Sequence, residues 1–309
     1  MMDYSQFDRV FGSVNPFPYS RTVIVSIEAS RRSFEGSLFL DRVLKALNLG
    51  QVAKNYPPKN ENALRQMHQH LCDTNNITLH HKLSILYYLL LDIDGRSSNG
   101  ESKAESFASL AGIPNRYQIF MKGLWLMDTR NFEIALQYLT HPSLISDFAD
   151  DIITALVRHS KDHDYTLPLA YYHTVQPSIQ SSNALQFLFD AIARSSVLEA
   201  FEFSRSHADY MRRQLFQRLV TVTLDSGSKE EDEAAERAFE LTSLPFDADE
   251  EQWFKEYLES GEGKRLKTAK DTLVMRRIAT GHGVTAGDRG AWATVLEGFK
   301  TGSGGRAQA

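Results

Sequence analysis

The sequence has 309 residues, and its 34 Lys+Arg against 39 Asp+Glu give a formal net charge of −5, which argues against a protein that coats nucleic acid through its overall charge. Charged residues at 24% and hydrophobic residues at 42% mark a globular chain, of a length that suits two average domains or one elongated architecture. A single cysteine, Cys72, excludes a disulfide framework and fits a reducing compartment; the opening Met1-Met2-Asp3-Tyr4-Ser5 has no secretory pattern, and the longest apolar stretch, Leu83–Leu91, is far short of the roughly 20 residues a membrane span needs.

Residues 1–20 carry Phe7, Phe11, Phe17 and Tyr19 besides Tyr4, with Pro16 and Pro18 among them. The segment is too short to fold alone. We read it as an extended piece that caps the first helices, with Phe7, Phe11, Phe17 and Tyr19 as candidate partner-binding anchors. Val23–Ile27 is β-branched and is the best strand candidate, but Val23, Ile27, Ser30 and Phe34 also fit a helical face, so a helix is expected. Leu40, Val43, Leu44 and Leu47 follow the i, i+3, i+4, i+7 pattern. Tyr56-Pro57-Pro58 breaks the chain.

His68, His70, Cys72, His80 and His81 form the one cluster that invites a metal site or a metal hydrolase. His68 and His70 stand two apart on a predicted helix and point to different faces. Surface histidines are the expected reading, with no metal and no cofactor. Thr78 precedes the apolar run Leu79, Leu83, Leu86, Tyr87, Leu90 and fits an N-cap, as Ser182 and Ser196 do further on. Asp94–Gly100 reads as an exposed loop.

Phe120, Gly123, Leu124 and Met127 repeat the helical pattern, and so do Phe132, Ala135, Leu136 and Leu139. The link Asp128–Asn131 is short, which predicts an antiparallel hairpin. Gly123 is expected to let the two helices approach closely, and Trp125 to lie in the core. His159, Asp162, His163 and Asp164 read as a helix end, where a cationic His suits the dipole. Leu185, Leu188, Phe189, Ile192 and then Val197, Ala200, Phe201, Ser204 predict a second hairpin, with Ser196 and Glu199 at capping-box spacing. Asp225–Ser228 is a possible sub-boundary near 228. The tail 301–309 is small and polar and is expected to be disordered.

Charge is uneven toward the C-terminal end. Residues 229–262 hold 13 acids and 3 bases, a net of −10, while residues 264–277 hold six bases and one acid, a net of +5. The basic stretch is expected mainly to neutralise the acidic helices beside it; the other readings are contact with phosphate or with an acidic partner surface. Arg276 and Arg277 are candidate anchors for a partner. Gly263-Lys264 lacks the upstream glycine of a phosphate-binding loop, Gly281-His282-Gly283 lacks the third glycine of a dinucleotide turn, and no nucleophile elbow occurs.

These elements predict an all-α protein, an irregular α-solenoid of stacked antiparallel helical hairpins, with one continuous helical block over residues 20–300. No strict 34-residue repeat is present. Nothing in the motifs points to an enzyme.

Several segments resemble one family. Ile27-Glu28, Arg31–Gly36 and Leu40–Leu44, with Tyr56-Pro57-Pro58 after them, are similar to the opening of the ELYS-like domain of nuclear-pore proteins. The most specific block is Lys122–Asp128 followed by Phe132-Glu133, Ala135-Leu136, Tyr138-Leu139 and Pro142-Ser143. Further likeness lies in Leu169–Tyr172, in Arg194-Ser195 with Ala200-Phe201, and in Asp271 with Leu273. The resemblance implies a non-enzymatic structural nucleoporin at the nuclear envelope that docks onto the Y-shaped scaffold complex of the nuclear pore and supports pore assembly. It implies either the short, fungal-type form or the helical domain taken alone, without the β-propeller and chromatin-binding tail of animal members. No minor-groove arm of the Arg-Gly-Arg-Pro kind is present, so contact with chromatin or DNA is not expected, nor is a small-molecule ligand. A repeat-type α-helical adaptor that binds peptide segments of another assembly is the alternative.

Overall fold

The computed structural model describes residues 3–12, 15–95, 102–225 and 231–281. Every regular element among them is helical, and no strand occurs there. The loop tip 96–100, the sub-boundary near 228, the end of the predicted block over 282–300 and the tail 301–309 lie outside the described residues. No helix among the described residues is long and apolar enough to cross a membrane. The chain divides into two compact units, residues 1–159 with 166–179 and residues 160–165 with 180–309.

The first unit opens with α1 (Phe7–Phe11), α2 (Arg21–Ser33), α3 (Phe39–Ala46) and α4 (Gly50–Lys54). The β-branched run Val23–Ile27 is helical, as the spacing of its apolar residues predicts. Helix α5 (Glu61–Asp73) starts where the Asn60 side chain accepts from Ala63 N, and α6 (Leu79–Asp94) where Thr78 accepts from His81 N. Every residue of α6 from Lys82 to Ile93 is buried, so α6 is the centre of this unit, as expected of a helix apolar on all sides. Helices α7 (Lys103–Ala111) and α8 (Asn115–Asp128) pack on it, α9 (Phe132–Leu139) packs on α8, and α11 (Thr166–Val175) packs on α9 and on α10 (Ala149–Arg158). Helices α8 and α9 form a tight hairpin whose link contains Arg130 at φ 62, a left-handed position that reverses the chain in few residues.

The second unit holds α12 (Ser182–Ser195), α13 (Val197–Arg205), α14 (Asp209–Leu224), α15 (Glu231–Ser243), α16 (Ala248–Glu259) and α17 (Ala269–Ala279). Helices α14 and α15, which flank residue 228, both belong to it. The cap of α12 is Ser181, one residue before the predicted Ser182, and Ser196 caps α13 through Glu199 N. Helix α16 begins with a full capping box, in which Asp247 accepts from Glu250 N and Glu250 from Asp247 N. Phe201, Phe216, Phe246 and Phe254 pack as a ring cluster with centroids 5.1–6.4 Å apart.

Candidate functional site

Two buried carboxylates organise the first unit. Asp92 lies at the end of the apolar run of α6 and is 2% exposed. Its Oδ2 accepts from the hydroxyls of Tyr19 at 3.0 Å and Tyr56 at 2.7 Å, and its Oδ1 from Trp125 Nε1 at 2.8 Å. One side chain thus ties the N-terminal segment, the Tyr56-Pro57 break and α8 to the central helix. Asp128 closes α8. Its carboxylate accepts from Phe39 N at 2.8 Å, Leu40 N at 3.0 Å and the Tyr88 hydroxyl at 2.7 Å. Phe39 and Leu40 are the first residues of α3, so Asp128 satisfies orphan amides of another helix, at the end whose dipole favours an anion. Burial pushes the Asp128 carboxyl up to about 7, against the opposing pull of those two amides and of Tyr88. Burial likewise raises the Tyr56 and Tyr88 hydroxyls well above their usual range. The sequence signal for both carboxylates is an Asp beside apolar residues on a helix that must be buried, because such a group is retained only with partners.

The N-terminal aromatics lie inside the fold. Phe7 and Phe11 are buried, and both meet the His68 ring edge-on at 5.7 and 6.0 Å. The Arg65 guanidinium covers Phe7 at 4.0 Å, and a His68 ring nitrogen bonds the Tyr4 carbonyl at 2.9 Å. Tyr19 is buried on Asp92, and Phe17 is half-buried 5.9 Å from Tyr19. Phe7, Phe11 and Tyr19 are therefore not available as exposed partner anchors: a short segment gains most by burying its rings on its own helices.

Arg276 is internal for a different reason. It is buried over the Phe246 ring, donates to the carbonyls of Thr242 and Leu244 at 2.6 and 2.7 Å, and pairs with Glu251. Those carbonyls lie at the C-terminal end of α15, where backbone acceptors lack helical partners. Arg277 is half-buried and lies 3.6 Å from Glu259. Other acids of α16 are met by arginines from α13 and α14: the fully buried Glu250 holds Arg205 and Arg212, and Glu256 holds Arg213. Burial works against the charge of Glu250, but its arginine hydrogen bonds hold its carboxyl below the usual range. Arg276 and Arg277 thus neutralise acidic residues as expected, whereas Lys264, Arg265, Lys267 and Lys270 stay exposed and make no ion pair among the described residues.

In the α8–α9 hairpin, Leu124, Met127, Leu136 and Leu139 are buried. A Cβ at Gly123 would lie 2.7 Å from the Leu139 side chain, which is a distance real Cβ atoms do not reach. Phe120 is half-buried and stacks on Phe148 at 6.3 Å, and the half-buried Phe132 lies 5.3 Å from His159. Trp125 is half-buried, held by its bond to Asp92.

The histidine cluster is dispersed. His68 serves the N-terminal cap, His70 borders a cavity of about 410 Å³ with Asn48 and Asp73, and His80 and His81 lie against Tyr117 at 5.7 and 6.0 Å. No group of three or more metal-binding side chains converges among the described residues.

Large apolar side chains are exposed on several helices, among them Val25, Leu110, Leu198, Tyr210 and Phe239. Of α2, only Ile27 is buried, and Val25 is 56% exposed. Beside it runs a groove of about 510 Å³ lined by Ile24, Glu28, Arg31, Tyr56, Pro57 and Lys59, among others. The C-terminal half of α2 is fixed: Arg31 bonds Asp41 at 2.8 Å and the Tyr56 carbonyl at 3.1 Å, and Arg130 bonds the Ala29 carbonyl at 3.3 Å. In its N-terminal half Arg21, Thr22, Val25 and Ser26 are exposed, and Val23 and Ile24 are half-buried.

Comparison with known proteins gives this helical scaffold its context. Residues 37–261 match the ELYS family, described as nuclear pore complex assembly. The chain is 24% identical over 231 residues to the uncharacterized protein ely5 of Schizosaccharomyces pombe, covering 73% of each chain. It is 26% identical over 208 residues to protein ELYS of Homo sapiens and 25% identical over 182 residues to protein ELYS of Xenopus laevis. Those matches cover 66% and 57% of this chain but only 9% and 7% of the two vertebrate proteins. With the family match spanning well over half of its length, the chain belongs to the ELYS family of nuclear pore complex assembly proteins.

Proposed function

We propose that this chain is a non-enzymatic nucleoporin whose helices, stacked as in an irregular α-solenoid, dock onto the Y-shaped scaffold complex of the nuclear pore and support pore assembly. The family match over residues 37–261 carries this reading. The docking face is the N-terminal half of α2 with the groove beside it. Ile24 and Val25 supply apolar area there, and Glu28, Arg31 and Lys59 supply a polar rim, the arrangement of a protein interface. The ordered C-terminal half of α2 holds this face in place before the partner arrives, which lowers the cost of binding.

Reconstitution tests it. The purified chain is expected to co-elute with the purified Y-shaped complex in size-exclusion chromatography. Val25→Asp is expected to abolish co-elution with no change in the melting temperature of the isolated chain. Separate elution of the wild-type chain would count against the docking, and co-elution of the Val25 variant against this face.

A further inference from the structure

The exposed cations at the start of the basic stretch are unexplained by the fold and lie beyond the matched family region. Lys264, Arg265, Lys267 and Lys270 fall within seven residues, are all exposed, and make no ion pair among the described residues. The neighbouring acidic helix is served by arginines from elsewhere, namely Arg205, Arg212, Arg213, Arg276 and Arg277. The turn that carries the cations is firmly seated. A Cβ at Gly263 would lie 2.6 Å from carbons of the Tyr257 ring, and one at Gly261 would lie 3.0 Å from the Tyr257 backbone. The Tyr257 hydroxyl in turn lies 2.6 Å from Thr221 Oγ1 on α14. The backbone beside the cations is thus pressed onto a half-buried side chain tied to α14.

We propose that the turn Lys264–Lys270 is a docking surface for a short acidic segment of a partner protein. The charge around the turn selects that partner. The arginines offset only part of the acidic segment: Glu233, Glu236, Glu240, Asp249 and Glu262 are exposed and make no ion pair among the described residues. A nucleic-acid duplex presents about one charge per 1.7 Å along its whole length. It would continue past the seven basic residues over acidic helices, where repulsion acts across a Debye length of about 8 Å. An acidic peptide segment confines its charge to the turn, where four cations outnumber the flanking Glu262 and Asp271. Three of the four cations are lysines, point charges on flexible stems that suit carboxylates in varied positions and impose no bidentate geometry. The surface is separate from the α2 face and does not depend on docking to the Y-shaped complex.

The test uses the full chain and a fluorescein-labelled Asp/Glu-rich peptide, with a DNA duplex of matched charge as the competitor class. Peptide binding, followed by fluorescence anisotropy, is expected to weaken as salt rises. The variant Lys264→Ser/Arg265→Ser/Lys267→Ser/Lys270→Ser is expected to weaken it by about tenfold or more, because several exposed pairs are lost together. Its melting temperature is expected to match wild type, and the variant Lys264→Arg/Lys267→Arg/Lys270→Arg is expected to keep binding. The duplex is expected to bind more weakly than the peptide. Absence of peptide binding at low salt, equal binding by the serine variant, or tighter binding of the duplex would each overturn the proposal, the last by assigning the turn to nucleic acid.

Discussion

Gly123 and Leu139 meet at a separation that leaves no room for a methyl group. A Gly123→Leu change is therefore expected to force the α8–α9 hairpin apart at a cost of about 1–3 kcal/mol, read as a lowered melting temperature; an unchanged melt would contradict the packing. Asp128 makes a pH prediction. Its folded pKa of about 7 lies above the ordinary 3.8. Between those values the folded chain holds a proton that the unfolded chain has released, so this group's contribution to stability is full below about pH 4 and is lost as pH rises through about 7. Burial lowers the pKa of His68 from 6.5, which tilts stability the opposite way in part of the same range, so the difference between wild type and Asp128→Asn is the informative quantity. Denaturant melts across about pH 5–8 are expected to show that wild type loses stability relative to the variant as pH rises. A difference that does not vary with pH would contradict the raised pKa. Gly123 was legible in the sequence because its place on an apolar helical face facing a short hairpin leaves few alternatives. Asp92 and Asp128 were not, because periodicity identifies a buried face and not the partner of a buried polar group, and those partners lie 36, 73 and 89 residues away.

At the level of elements, the two adjacent arginines of α17 separate two kinds of interaction. Arg276 closes off the carbonyl end of α15 from a buried position, whereas Arg277 meets Glu259 at 3.6 Å near solvent. Arg276→Ala is expected to cost about 2–3 kcal/mol by leaving buried acceptors unsatisfied, and Arg277→Ala no more than about 1 kcal/mol. Equal or inverted losses in chemical denaturation would overturn the assignment. The capping box of α16 gives a further expectation, that Asp247→Ala costs about 1 kcal/mol or more. Helices were readable from apolar spacing, α2 among them despite its β-branched run. Neighbours joined by a short link were readable too, as in α8–α9 and α12–α13, but neighbours distant in sequence were not, because the i, i+3, i+4 pattern is the same whichever helix covers it. The basic stretch illustrates this: its charges were visible, but only the packing shows that Arg276 turns inward and Arg277 pairs with Glu259, while the four preceding cations make no ion pair among the described residues.

At the level of the whole molecule, the two compact units divide the chain within residues 160–180. The helix end at 159–164 and the Gln176-Pro177 break mark that place, but they look like the breaks between helices elsewhere in the chain. Family membership was legible because the order and spacing of blocks such as Lys122–Asp128 and Phe132–Leu139 extend over most of the chain, and these blocks are the tightest part of the first unit. The function proposed above is one of surfaces, with the α2 face on the first unit and the basic turn on the second. Affinity capture of the tagged chain from its native cells, followed by mass spectrometry, tests the central claim most directly. The account predicts recovery of the nucleoporins of the Y-shaped complex, and recovery of soluble metabolic enzymes without scaffold nucleoporins would contradict it.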